Sequence, residues 1–165
     1  MDTRLKRMGI NLLVMIVFMG FFYNMRLNDA KGLAKNFLTV YYTVDDTSDY
    51  PYTDLTKLEQ TLKQKYGELL TQPALQALTT TRVILENEEA ALQAGATISF
   101  KDVSFKMIKT NHFSFVATLI AKYTDGTMKA ITQSGDLTVV QLDGKWVVDS
   151  FNPTKGDLLK AVTTK

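Results

Sequence analysis

Few residues in this sequence could do chemistry, and their spacing limits what that chemistry would be. There is no cysteine, which removes thiolate catalysis, disulfide frameworks and every cysteine-ligated metal or cluster. His112 is the single histidine, so multi-histidine metal clusters are excluded and any Ser-His-Asp relay has to run through it. It follows Thr110-Asn111 in what reads as a turn, at a rim rather than inside a pocket. Asp102 interrupts an apolar alternation. Turned inward beside Tyr41 or Tyr42 it would be the carboxylate of an isomerase-like or hydrolase-like pocket; otherwise it is a bulge or strand-edge residue. Asp45, Asp46 and Asp49 lack the alternating oxygens, the glycine and the closing glutamate of a calcium loop, and read as a solvated connection. Glu86, Glu88 and Glu89 read as a wet face, while Asp125, Asp136 and Asp143 are explained by turns. A Gly-rich phosphate loop is absent from the sequence. The residues therefore predict no catalytic set, no metal and no cofactor.

The elements that position these residues follow from periodicity. Asp29 is a predicted N-cap for a helix to about Val44, with Leu33, Phe37, Val40, Tyr41 and Val44 at helical spacing. A second helix starts near Thr53 or Asp54 and carries Leu55, Leu58, Leu62, Tyr66, Leu69 and Leu70 on one stripe. Pro73 interrupts it before a short helix through Leu78, and Thr81 to Ala94 reads as helix or polar turn. After Gly95 the period becomes two. The first strand holds Ile98, Phe100, Val103, Phe105 and Met107, with an irregularity near Asp102. The second runs from Phe113 to Tyr123, with Phe115, Ala117, Leu119, Ala121 and Tyr123 on one face. Asp125-Gly126 predicts a two-residue hairpin, and Ser134-Gly135-Asp136 a bulge or bend inside the third strand, Thr127 to Leu142. Asp143-Gly144 closes the next hairpin, Lys145 to Phe151 is the last strand, and Asn152-Pro153 stops it. Helices followed by a meander describe an α+β domain: two to three helices packed on a curved four-stranded antiparallel sheet. Phe37, Tyr41, Phe115, Tyr123 and Trp146 are predicted core, with Trp146 against the first helix. Ala117 and Ala121 are small enough to leave a cavity beside them.

Apolar residues make up 45% and charged residues 22%, a globular usage. The net charge of +2 resides in the N-terminal flank, where Arg4, Lys6 and Arg7 outweigh Asp2. The remaining chain is neutral, which argues against a protein that binds nucleic acid by neutralising phosphates. From Met8 to Met25 no residue is charged, and a helix of that length reaches about 27 Å, close to the ~30 Å hydrocarbon core. Asn11, Asn24 and Tyr23 lie near its ends, where water and headgroups are accessible. Arg26-Leu27-Asn28-Asp29-Ala30 offers no Ala-x-Ala site for removing the segment as a signal peptide. Residues 1–7 are thus expected as a short cytoplasmic tail and 8–25 as a single transmembrane helix. Residues 26–153 are expected as an extracytoplasmic domain, and 154–165 as a tail that docks on a partner or frays.

The helix–helix–meander order and the closing Asp143-Gly144-Lys145-Trp146-Val147-Val148-Asp149-Ser150-Phe151 resemble the nuclear-transport-factor-2-like (NTF2-like, cystatin-like) cone superfamily. Tyr66-Gly67-Glu68-Leu69-Leu70-Thr71-Gln72-Pro73-Ala74-Leu75 is similar to the second-helix region of its small bacterial members. With one N-terminal span, the chain resembles VirB8-like subunits of conjugative type IV secretion systems of the Gram-positive kind. Asn152-Pro153-Thr154-Lys155-Gly156 has one residue more than the Asn-Pro-x-Gly motif of some VirB8 proteins, so no role is carried onto it. The resemblance implies a non-enzymatic scaffold in the cell membrane that self-associates and contacts other membrane subunits of a DNA-transfer channel, without sequence-specific nucleic-acid binding. The alternative is a membrane-tethered module that holds a small apolar ligand or cell-envelope component.

Overall fold

The computed structural model describes residues 24–45, 54–154 and 157–163. Five α-helices and a four-stranded antiparallel sheet are present among them. Helix α1 covers residues 24–42; α2 is Leu55–Tyr66, α3 Gln72–Thr80, α4 Glu86–Ala94 and α5 Asp157–Thr163. A 3₁₀ turn, Val83–Leu85, leads into α4. Strands β1 (Ala96–Lys109), β2 (His112–Tyr123), β3 (Met128–Leu142) and β4 (Lys145–Pro153) pair in chain order. The expected α+β class is therefore observed.

Helix α1 is continuous through Asp29, which caps nothing, and its residues 24–29 carry no fully buried side chain until Ala30. Leu27 already packs against the edge of the core. From there Ala30, Ala34, Phe37, Leu38, Tyr41 and Tyr42 recur every three or four residues and are all buried. Ala30 and Ala34 allow close approach; the rings beyond them fill the core. Phe37 and Tyr41 both meet Phe151 edge-on, at 4.9 and 4.7 Å between centroids. Val44 has left the helix and pairs with Ile98 at the free edge of β1. Leu70 does the same against Val148 on β4, so both outer strands are partly covered.

Asp54 caps α2, its side chain accepting from the Lys57 amide at 3.1 Å. Only Leu58, Leu62 and Tyr66 of the expected stripe are buried helical residues, because the helix ends at Gly67 before Leu69 and Leu70 and Leu55 is exposed. Pro73 sits in the first turn of α3, where its missing N–H costs nothing, and Thr71 caps that helix.

In the sheet, the irregularity near Asp102 is a register shift between Phe100 and Asp102. Asp143 (φ 48°) and Gly144 (φ 80°) are both left-handed, the two-residue turn that matches strand twist. Asp125-Gly126 differs. Lys122 pairs with Met128 and the Tyr123 amide donates to Thr127, leaving a three-residue loop with Gly126 at φ 84°. The β2–β3 register runs unbroken past Gly135, and the shift lies instead between Thr138 and Val139 against β4. β4 continues through Asn152 and Pro153 at the outer edge, where a proline is tolerated. Trp146 is only half-buried; Phe151, on the inward register of β4, takes the place against α1.

Residues after 154 include α5, which packs against α4 and β3 of the same chain and buries Leu158 and Val162. No helix among the described residues is long and apolar enough to cross a membrane. The expected span, 8–25, lies outside them except for Asn24 and Met25, as do Asp46 and Asp49.

Candidate functional site

Tyr41 and Tyr42 end α1 on the inner side of the sheet, their rings edge to face at 4.8 Å. The Tyr41 hydroxyl donates to the Val83 carbonyl at 2.9 Å. The Asn87 amide donates to the Tyr41 carbonyl at 2.7 Å, satisfying an acceptor left over at the helix end. Tyr42 is 1% exposed, yet its hydroxyl has no protein partner. Gln133, 3% exposed on β3, has an equally unpartnered Nε2.

Both side chains line a cavity of about 170 Å³. Tyr41, Glu86, Asn87 and Ala90 form the rest of its inner wall, with Glu89, Gln93, Pro153, Thr154 and Leu158 completing it. Gln133 is paired across the ladder with Ala117, but neither Ala117 nor Ala121 lines this cavity. An unsatisfied buried donor costs on the order of 1–3 kcal/mol, so two on one cavity are a conspicuous expense for the empty fold.

Burial pushes the Tyr42 phenol well above its ordinary range, and the Glu86 carboxylate adds to the effect. Burial also raises Tyr41, assisted by Tyr42, Glu86 and Glu88. Both hydroxyls are therefore neutral at physiological pH. The arrangement presents hydrogen-bond donors and a half-buried carboxylate, Glu86, rather than a phenolate nucleophile.

The residues singled out from sequence lie elsewhere. His112 is the first residue of β2 rather than part of the turn, because Lys109 pairs with it across Thr110-Asn111. Its Nε2 lies 3.0 Å from Asp136 on the outer face of the sheet, and Asn152 reaches the same oxygen at 3.5 Å. Ser114, beside it on that face, donates to the Lys106 carbonyl, so no relay forms there. Asp102 is exposed and pairs with Lys35 at 3.7 Å, on the surface and not beside the tyrosines. Glu88 is not a wet residue: it is 2% exposed and bound to Lys65 of α2 at 2.9 Å. Glu89 pairs with Arg82, and Asp125 accepts from the Thr127 amide and hydroxyl within its turn. Among the described residues no group of three acidic or histidine side chains is arranged to hold a metal.

Sequence reasoning missed Gln133 and Asn87. The signal for Gln133 was present: it keeps the inward register of Ile131 and Leu137, where a polar residue must find a partner or face a cavity.

No family model and no curated protein matches the chain. Among solved structures, the 1.8 Å structure of Aln2 from a Streptomyces species is similar over 47% of this chain and 61% of that one, so the match spans less than two thirds of its length. The identity is 19% and the TM-score 0.34, a likeness too slight to bear on fold or activity.

Proposed function

We propose that this chain is a non-enzymatic, single-pass membrane scaffold of the VirB8-like kind, in which an NTF2-like cone outside the cytosol assembles copies of itself beside a DNA-transfer channel. The observation that carries the reading is the first described stretch of α1. The chain is already helical at residue 24, before the uncharged run ends at Met25, and the same helix continues into the core, which Leu27 is the first residue to touch. A helix that enters the domain without a flexible joint would hold it close to the bilayer in a restricted orientation. Copies confined to two dimensions gain effective concentration, so weak lateral contacts suffice. Exposed Ile108 and Val116 on the β1–β2 hairpin, near Lys106 and Lys109, provide a surface for such contacts.

The cysteine-free sequence makes the test direct. Single cysteines at Ile108 or Val116 should give disulfide-linked dimers in donor-cell membranes, while a cysteine at Leu142 should not. Monomer at every position, together with undiminished DNA transfer from a deletion strain, would refute the reading. A second reading, a tethered module that holds a small ligand, is favoured by one observation: the cavity bearing the unpartnered Tyr42 hydroxyl and Gln133 amide.

A further inference from the structure

We infer that a second copy of this chain pairs with the free edge of β1, antiparallel and centred on Ser104, so that Asp102 of each copy faces Lys106 of the other. The inference rests on the self-association of the scaffold reading and adds to it a contact of defined register.

β1 is an outer strand, and along its outer side only Ile98 is paired, exchanging both backbone bonds with Val44. Ile98 therefore turns its amide and carbonyl outward, and outward groups recur at every second residue. The register shift between Phe100 and Asp102 inserts one residue, so beyond it the outward groups belong to Val103, Phe105 and Met107. Among the described residues no strand meets them. Two such edges related by a two-fold axis must set outward residues against outward residues, so the axis passes through a residue between Val103 and Met107 rather than between two residues.

Charge selects the residue. Centred on Phe105, Lys101 would oppose Lys109; centred on Lys106, that ammonium would oppose its own counterpart. Centred on Val103 or Met107, Lys106 would meet only Phe100 or Ile108. Centred on Ser104, Asp102 opposes Lys106 on both sides of the axis, at non-hydrogen-bonded positions where side chains come closest. Val103 then opposes Phe105, both of them half-buried against the rim of the core. Lysine on a strand edge ordinarily discourages pairing, but here each Lys106 finds a carboxylate. Asp102 already has Lys35 at 3.7 Å, a contact between side chains 73% and 56% exposed, and its two oxygens can accept from both cations.

The test uses the full-length chain in membranes of the expressing cell, free of any native cysteine. Ser104 is exposed and in this pairing faces its counterpart at about 4.5 Å between Cα atoms, so Ser104→Cys should give disulfide-linked dimers. Asp102→Cys and Lys106→Cys should each give none alone and should link to one another when co-expressed. In the Ser104→Cys background, Lys106→Glu should cut the dimer at least fivefold, and adding Asp102→Lys should restore it. Ile108 and Val116 would lie about 27 and 14 Å from their own counterparts in this pairing, too far to link, so cysteines there report the other contact alone. Links at Ile108 or Val116 with none at Ser104 would overturn the edge pairing and leave the scaffold standing. Links at Ser104 that ignore the charge reversal would overturn the register, and no link at any position would overturn both readings.

Discussion

Gly135 lies directly opposite Phe115 in the β2–β3 ladder, and the edge of that ring occupies the place where a side chain at 135 would begin. A Cβ there would stand 2.9 Å from two carbons of the Phe115 ring and 2.5 Å from the Asn152 carbonyl oxygen. Phe115 is stacked on Phe151 at 5.9 Å, and Phe151 in turn abuts Phe37 and Tyr41 of α1. A methyl group at this point would push the aromatic core away from the strand. Gly135→Ala should therefore destabilise the domain by about 1–3 kcal/mol. Gly32, in α1 with nothing within 4 Å of its missing Cβ, provides the control. Gly32→Ala should stabilise by about 0.5–1 kcal/mol. Denaturant midpoints of the two variants should move in opposite directions.

The ion pair between Glu88 and Lys65 supports a second prediction. Glu88 is buried on α4 with its Oε2 otherwise unpartnered, and Lys65 comes from α2 with its side chain 26% exposed. Removing the cation strands a buried carboxylate, which costs about 3–5 kcal/mol when both partners are enclosed. Partial exposure of Lys65 lowers the expected loss for Lys65→Met to about 2 kcal/mol. Adding Glu88→Met to that variant should recover most of the loss. A double-mutant cycle in which the two losses simply add would show that the pair is not coupled.

This pair also marks where sequence stops being legible. The strands of the meander, the irregularity at Asp102 and the start of α2 near Asp54 are readable because each depends on neighbours in sequence: alternation, a turn dipeptide, a polar residue ahead of an apolar stripe. Glu88 reads as exposed because its partner lies in another helix, and no spacing within α4 reveals that Lys65 reaches it. No register shift marks Gly135, for a related reason. Glycine in a strand signals either irregular backbone or close approach, and only the position of Phe115 distinguishes them. Tyr41 and Tyr42 are the residues an inward group meets, as their spacing suggests, but Asp102 is not that group. The register shift turns it toward Lys35 and leaves Gln133 as the polar residue facing in.

The raised phenols of Tyr41 and Tyr42 predict how stability responds to alkali. Their ordinary value is near 10, and both lie well above it in the folded chain. Below about pH 10 the hydroxyls are neutral in both states, and their contribution is fully present. Above that value the unfolded chain ionises first, so stability falls with pH until the folded phenols ionise too. The slope is at most about 1.4 kcal/mol per pH unit for each tyrosine. Urea midpoints between about pH 9 and 11 should fall less steeply in Tyr42→Phe than in wild type, while at lower pH the two curves should run parallel. Parallel curves throughout would mean that Tyr42 ionises as readily folded as unfolded.

Helix α5 is too short to be stable alone, and the side chains that hold its last turn come from the sheet. The Tyr123 hydroxyl donates to the Val162 carbonyl at 2.7 Å, and the Lys129 ammonium donates to the Ala161 carbonyl at 2.8 Å. Carbonyls at a helix C-terminus have no partner within the helix, so these donors act as a cap supplied by β2 and β3. Tyr123→Phe should cost about 1 kcal/mol and Lys129→Met somewhat more, since a charged donor is lost. The loss should be local, because the β2–β3 ladder does not depend on α5 for its own hydrogen bonds. Hydrogen exchange should accelerate at the C-terminal amides of α5 in both variants and stay slow at Leu119 and Ile131. Leu158, on the same helix, lines the Tyr42–Gln133 cavity. Loosening α5 should therefore also speed exchange of the Gln133 side-chain amide. Faster exchange at α5 with no change at Gln133 would show that the helix is not a wall the cavity depends on.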